Sequence, residues 1–493
     1  MDAKLLRSFL SVVGGRFGVL FIGILTTPIL VRLLGSEGYG DYAFVTSALA
    51  VILTLTAKDG VTSGVRKFMV EDREQEDWKP NVFSFYFHLS ALLTVLAAII
   101  LFMIGSSGIV ELTFGEAFIT YTYLVALLLI SEQMFNLIRA TLLGLGAEKY
   151  SESFTVVQKS TYATVAIVLV YFGWGVDGAL IGRIIGAAFS AFCCFLILSK
   201  YINLRAVIRP KFKSLPKKDL ISFNFSTLVL VFLTTSLYKV DILMLRPLAG
   251  SAQTGYYQGA LVIAEFLWFI PHAAQVALLH SMSAEWDQGN LETISKTASQ
   301  ITRYTLQFTV LLIIGLTALA EPFVKLYYGA DFTPAVLPLL ILLPGTLGFA
   351  LARPIQSTAH ASGELRHLII ATGSAAVINF VLNLVLIPMY GMYGAAAATS
   401  IGYGSMIVFH TISARRVGFD PLMELRLVKT LATGLIAASV IFPLAWVLHP
   451  SLISLIIVPP IGLLVYVAVA VLFGAVSKQE VARGRQTIEN RFL

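Results

Sequence analysis

Charge is what this sequence has least of. Asp, Glu, Lys and Arg make up 13% of its 493 residues, while hydrophobic residues reach 57%. A water-soluble domain carries about a quarter charged residues, so a chain this apolar, with mean hydropathy +0.82, is not a soluble globular domain. Cysteine is also scarce. Cys193 and Cys194 are adjacent inside one apolar run, which excludes a disulfide framework or a zinc site and leaves them as helix-packing residues. No Asp-rich motif, nucleotide-binding glycine loop or nucleophile elbow occurs, so an enzyme reading has no residues to carry it. The formal net charge of +7 does not point to nucleic acid, because the lysines and arginines sit in short loops between apolar runs.

Long apolar runs are what the chain has most of. A membrane-crossing helix needs about 20 such residues, and about fourteen candidates lie at 9–34, 42–57, 82–104, 118–143, 154–172, 176–199, 220–246, 256–279, 302–320, 335–353, 367–388, 393–414, 427–447 and 452–474. The first run passes signal-peptide length, so it is expected to be a retained span. Only helices or closed barrels satisfy backbone polar groups in lipid, and these runs are too long and uniform for barrel strands. The expected fold is an all-α integral membrane protein. One set of loops carries Lys58, Arg66, Lys67, Arg73 and Lys79, then Lys149, then seven cations between Lys200 and Lys218. It continues with Lys296, Arg366, Arg415, Arg416, Arg426 and the tail. The alternate loops Ser36–Asp41, Gly105–Glu116, Gly173–Asp177, Tyr390–Met392 and His449–Ser451 hold neither lysine nor arginine. The positive-inside rule then places both termini in the cytoplasm, which makes the sequon at Asn224 cytoplasmic and unused.

The chain also repeats itself. Arg32 and Tyr42 in PILVRLLGSEGYGDYA correspond to Arg246 and Tyr256 in KVDILMLRPLAGSAQTGYY, 214 residues later, and Arg139 plus 214 lands on Arg353. Gly175-x-x-Gly178-Ala179 recurs as Gly391-x-x-Gly394-Ala395 at offset 216. Duplicated membrane halves are a transporter plan. The halves are expected as pseudo-symmetric six-helix lobes, residues 1–199 and 220–414, around a central cavity, joined by a basic cytoplasmic linker at 200–219 that can contact anionic lipid headgroups. Two further spans over 427–474 and a tail at 475–493 follow.

Ionisable residues inside spans are costly and tend to face a cavity or pair with one another. Arg16, Arg139 and Lys159 fall in the cytoplasmic half of the membrane, Arg183 and Lys239 toward the outer half, a staggered series of cations suited to a phosphate crossing the bilayer. Salt bridges or snorkelling to the interface are the plainer alternative. Glu132, Asp241 and Glu265 are candidates for sodium or proton coupling, or for structural charge pairs. Glu132 and Arg139 stand two turns apart and do not pair directly, Lys239 and Asp241 point to different faces, and Pro271 should kink the helix carrying Glu265 and His272. Arg32, Arg246 and Arg353, at span ends, are read as interface anchors. Asn379 and Asn383 suit interhelical hydrogen bonding, and Pro28 suits a bend in the first span. No cofactor is expected beyond a coupling ion.

The stretches VRLLGSEGYGDYAF (31–44), DILMLRPLAGSAQTGYY (241–257) and NFVLNLVLIPMYGMYGAAAAT (379–399) resemble the polysaccharide-transporter (Wzx-type flippase) branch of the multidrug/oligosaccharidyl-lipid/polysaccharide exporter superfamily, and GVRKFMVEDREQEDWKPNVFSFY resembles its archaeal members. The resemblance implies fourteen helices in two lobes and alternating access. It also implies transfer of a polyprenol- or dolichol-(pyro)phosphate-linked saccharide to the outer leaflet of the plasma membrane, for surface polysaccharide or N-glycan assembly. Partners would be the lipid-linked saccharide, membrane lipids, and a glycan polymerase or oligosaccharyltransferase. Arg16 in GGRFG is similar to the first-helix arginine of lipid II flippases. The alternative is an ion-coupled multidrug or small-molecule exporter of the same superfamily.

Overall fold

The computed structural model describes residues 3–71, 77–203, 205–208, 215–448, 452–477 and 480, with side chains described over most of these from Gly18 onward. Among the described residues there is helix and no strand. The chain divides into two compact units, Met1–Gly255 and Tyr256–Leu493.

The first unit holds α1 (Ala3–Leu55), α2 (Lys58–Val70), α3 (Trp78–Ser106), α4 (Ile109–Phe114), α5 (Ala117–Gly144), α6 (Glu148–Leu169), α7 (Gly175–Leu198), α8 (Arg205–Ile208) and α9 (Lys217–Ala249). The second holds most of α10 (Ser251–Glu265), then α11 (Phe269–Asp287), α12 (Leu291–Tyr328), α13 (Val336–Ala361), α14 (Leu365–Tyr390), α15 (Met392–Val417), α16 (Leu427–Leu448) and α17 (Leu452–Leu472). Among the described residues, ten helices are long and apolar enough to cross a membrane. Two of them are double: Gly18–Leu55 is broken at Gly35 and Glu148–Leu198 at Gly173. Counting these twice and adding α10–α11 and α15 gives about fourteen crossings among the described residues, as the hydropathy pattern predicts.

Ser36–Asp41, expected as an outer loop, is helix. The chain breaks at Gly35 (φ 66°, ψ −178°) and is helical again from Ser36, so the second crossing, read as 42–57, starts about two turns earlier. The glycines that suggested a loop serve packing instead. A Cβ on Gly40 would lie 1.9 Å from the Ser251 carbonyl oxygen, and one on Gly255 would lie 2.0 Å from that of Ser36. The two repeat copies thus meet backbone to backbone, reciprocally, where no side chain fits. The helix continues through Pro28 and breaks at Gly35.

The duplication extends to the backbone. Gly35 and Gly250, Gly115 and Gly329, Gly146 and Gly363, and Gly175 and Gly391 are pairs of left-handed glycines at offsets of 214–217. Gly115 and Gly329 even share ψ, at 166° and 167°. Each pair ends one helix and starts the next, a conformation that costs glycine little.

Lipid tails are as apolar as leucine, so helices here associate through close packing and polar contacts, not by hiding from water. In the first unit α5, α6 and α7 pack on one another, α1 packs on α6 and α9, and α3 on α5. Val45, Leu49 and Leu53 of α1 join Leu128 and Leu129 of α5 and Leu180 of α7 in one cluster. In the second unit α13 is the central helix, packed on α11, α12 and α15. Trp268, Phe349 and Tyr403 stack there, with ring centroids 4.1 and 5.0 Å apart along the series. Pro271, which lacks an N–H and crowds the Leu267 carbonyl, has the expected effect: a 3₁₀ turn at Phe266–Trp268 separates α10 from α11. Helices α16 and α17 pack on each other and on α12.

Candidate functional site

The cations of the first unit meet because α6 and α7 approach closely. On α7, a Cβ at Gly182 would fall 2.6 Å from the Ala166 nitrogen, and one at Gly186 would fall 2.7 Å from the Gln158 carbonyl oxygen. This contact sets Arg183, next to Gly182, against the face of α6 that bears Lys159 and Tyr162. Facing them, α5 presents Glu132, 6% exposed. Arg183 Nε donates to Glu132 Oε1 at 3.1 Å, and Asn136 Nδ2 donates to the Glu132 carbonyl oxygen at 2.6 Å and to Oε2 at 3.4 Å.

One carboxylate does not balance this cluster. Lys58 of α2 and Lys159 lie within electrostatic reach of Glu132, and Lys159 also feels the like charges of Arg183 and Lys58. Neither lysine makes an ion pair among the described residues. Among the described residues, three cations face one carboxylate, a formal net charge of +2. The Lys159 ammonium lies 6.0 Å from the centre of the Tyr162 ring, and the Tyr162 hydroxyl is hydrogen-bonded to that of Tyr42 at 2.8 Å. The result is a half-buried cationic patch with a paired tyrosine wall, able to offer charge-assisted hydrogen bonds to an anion.

The structure sorts the other sequence candidates. Arg139, on α5, pairs with Glu152 at 3.6 Å, so its charge is answered within the helix pair. Lys239 and Asp241 lie on α9. Asp241 is fully buried, with Oδ1 accepting from the Ile242 N–H at 2.8 Å, and Lys239 is half-buried. Glu265 is half-buried in the second unit, at the last residue of α10 before the 3₁₀ break. Arg16 lies on α1, and its side chain is outside the described residues. The structure therefore unites Lys159, Arg183 and Glu132, pairs Arg139 with Glu152, and carries Lys239 and Asp241 on α9.

Sequence reasoning missed Lys58 and the two tyrosines. Lys58 reads as one more loop cation, and only the packing of α2 on α5 brings it in. A hydroxyl in mid-span, as at Tyr162, was the available signal. Arg246, expected as an interface anchor, donates from Nε to Asp41 Oδ1 at 2.8 Å, beside the Ser251 hydroxyl, which donates to the same oxygen at 2.7 Å. The guanidinium stands 4.7 Å from the Phe118 ring centre. In the second unit Asn379 bridges helices, its Nδ2 donating to Thr399 Oγ1, which also accepts from the Tyr257 hydroxyl, whereas Asn383 Nδ2 donates within its own helix, to the Asn379 carbonyl and Oδ1. An apolar cavity of about 650 Å³ opens among Phe308, Leu312 and Leu316 of α12, Ile441 of α16, and Val458 and Leu463 of α17.

A family profile described as "Polysaccharide biosynthesis protein" matches residues 29–337, more than half of the chain. The chain belongs to that family. Two relatives match over most of the chain. "Probable low-salt glycan biosynthesis flippase Agl15" of Haloferax volcanii is 20% identical over 463 residues, covering 92% of this chain and 93% of its own. "Uncharacterized membrane protein MJ1375" of Methanocaldococcus jannaschii is 23% identical over 403 residues, covering 78% and 92%. Among solved structures, the lipid II flippase MurJ in an inward closed conformation superposes with a TM-score of 0.77 at 16% identity, covering 94% of this chain and 98% of that one. An inward-facing multidrug resistance MATE family transporter of the MOP superfamily gives 0.65 at 15% identity, covering 80% and 94%. The chain is therefore a multi-pass membrane protein with a MurJ- and MATE-like fold, in the polysaccharide biosynthesis protein family.

Proposed function

We propose that the protein is a flippase that carries a polyprenol- or dolichol-(pyro)phosphate-linked saccharide from the cytoplasmic to the outer leaflet of the plasma membrane by alternating access. The observation that carries this reading is the surplus of positive charge at Lys58, Lys159 and Arg183, with Glu132 the carboxylate among them. A cationic drug would be repelled there, whereas a phosphate or pyrophosphate gains charge-assisted hydrogen bonds that replace its lost hydration. Glu132 holds Arg183 in place, which leaves Lys58 and Lys159 to engage the headgroup. Both termini lie in the cytoplasm on this reading, and the product is handed to a glycan polymerase or oligosaccharyltransferase outside.

Sodium or proton coupling fits the buried carboxylate of Asp241. The second reading, an ion-coupled multidrug exporter, is favoured by the MATE-like fold, but it calls for an acidic binding site where the first unit has a basic one. Deleting the gene in its own host tests the proposal. Lipid-linked glycans should accumulate with their sugars accessible only from the cytoplasmic face. Normal outward exposure of those sugars, together with lost resistance to cationic drugs, would reverse the order of the two readings.

A further inference from the structure

On the side of α5 away from the cationic cluster lies a second feature that transport does not use. An apolar groove of about 610 Å³ runs between α3, α5 and α7, lined among others by Phe83, Phe87, Met134, Ile138 and Phe195, and bounded at one end by Val207 of α8. Ser131 contributes the sole hydroxyl of the lining, and that hydroxyl donates to the Leu127 carbonyl of its own helix, so the groove offers no free polar group. From Ile138 to Ile130 along α5 it covers about 12 Å, close to the depth of one leaflet in a hydrocarbon core about 30 Å thick. A smaller apolar pocket, of about 400 Å³, continues past Ile130 toward Phe102 and Tyr123.

The α8 end of the groove is basic. Lys79 stands one helical turn before Phe83, on the stripe Lys79, Phe83, Phe87 of α3. Lys200 follows α7 in the turn beyond Phe195, and Arg205 opens α8, which packs on α3. Lys200 and Arg205 are exposed and Lys79 is half-buried, and none makes an ion pair among the described residues. Residues 200–219 hold seven cations against Asp219 alone.

We propose that this groove is a binding site for an anionic phospholipid of the cytoplasmic leaflet. One hydrocarbon chain lies between α3, α5 and α7, and the phosphate is held by Lys79, Lys200 and Arg205. The occupant is a membrane lipid and not the transported lipid, because the groove faces the bilayer and turns its back on Lys159 and Arg183. The bound lipid would fasten α8 and the basic linker to the first unit.

Native mass spectrometry of the purified full-length protein, loaded with phosphatidylglycerol or with phosphatidylcholine of the same chains, tests this. Phosphatidylglycerol should be retained preferentially. Each cation contributes about fivefold near an anionic headgroup, so K79Q/K200Q/R205Q together should cut its retention on the order of a hundredfold and leave phosphatidylcholine unaffected. Ala188→Trp, which fills the exposed groove wall, should reduce retention of both lipids. Equal retention of the two lipids by the wild-type protein, or undiminished phosphatidylglycerol on the triple variant, overturns the site. Displacement of phosphatidylglycerol by polyprenyl pyrophosphate, with loss of transport in the triple variant, overturns it too, since the headgroup site would then belong to the substrate. Loss of transport in Lys159 variants with lipid retention intact would leave the two proposals separately judged.

Discussion

Lys159 separates a binding role from a structural one. Changing it to Gln removes a charge that no described carboxylate pairs with, and it relieves repulsion from Arg183 and Lys58 while giving up attraction to Glu132. These effects oppose each other, so stability should change by no more than about 0.5 kcal/mol, the range of substitutions that break no specific contact. Transport should respond differently. A hydrogen bond to a charged group contributes about 1.5–3 kcal/mol, and because Lys159 is half-buried the lower end applies, about a tenfold loss. Arg183→Ala is the contrast. It strands Glu132, whose side chain is 8% exposed. Breaking a buried pair costs about 3–5 kcal/mol, reduced to about 2 kcal/mol here because Arg183 is itself 24% exposed and Asn136 still donates to the carboxylate. The assay is flipping of a short-chain polyprenyl pyrophosphate saccharide in proteoliposomes, read beside the detergent-solubilised melting temperature. Lys159→Gln should lose transport at an unchanged melting temperature, Lys159→Arg should keep most of it, and Arg183→Ala should lose both. Transport within twofold of wild type in Lys159→Gln, or a melting loss equal to that of Arg183→Ala, would refute the surplus-charge reading.

Other expected outcomes follow from the packing. Gly40→Ala places a methyl group 1.9 Å from the Ser251 carbonyl oxygen, so the helices must separate; a cost of about 1–3 kcal/mol or more should appear as a lower melting temperature, and an unchanged one would contradict the close crossing. A double-mutant cycle on Asp41→Ala and Arg246→Ala, whose side chains are 18% and 15% exposed, should give a coupling energy of about 0.5–3 kcal/mol in thermal or denaturant unfolding. Additive effects would show the pair to be incidental. Beyond α17, burial pushes the Glu480 carboxyl up, but hydrogen bonds from Ser477 and the charge of Arg303 more than offset this and hold it down at about 2. Its stabilisation should thus be complete above the ordinary value of 4.5 and vanish as pH falls from there through 2. Melting curves of wild type and Glu480→Gln should differ at pH 7 and converge on acidification, and a constant gap would contradict the contact with Arg303.

Much of the architecture was legible in the chain. Apolar runs of span length, separated by loops that alternate between basic and uncharged, require a helical membrane protein whatever the packing. The repeat offset announced a duplication that the left-handed glycines Gly115 and Gly329 carry into the backbone. The misread part is equally instructive. Gly38, Gly40 and Gly255 imply a turn when only composition is considered, because the same missing Cβ that frees a turn also permits helices to touch. Depth along a helix placed Arg139, Lys159 and Arg183 in one series, yet depth does not say which way a side chain points or what stands opposite. Arg139 met Glu152, and Arg183 met Glu132.

The sequence by itself determined that this chain lies in a membrane, that it is helical and that it was built by doubling, because each of these depends on composition and period summed over many residues. The tertiary structure alone decided which charges cancel and which remain. Pairing depends on contacts of about 3 Å between residues as much as 205 positions apart, as with Arg246 and Asp41. It took the glycine-mediated approach of α6 and α7 to set Arg183 beside Glu132 and leave Lys159 as surplus charge.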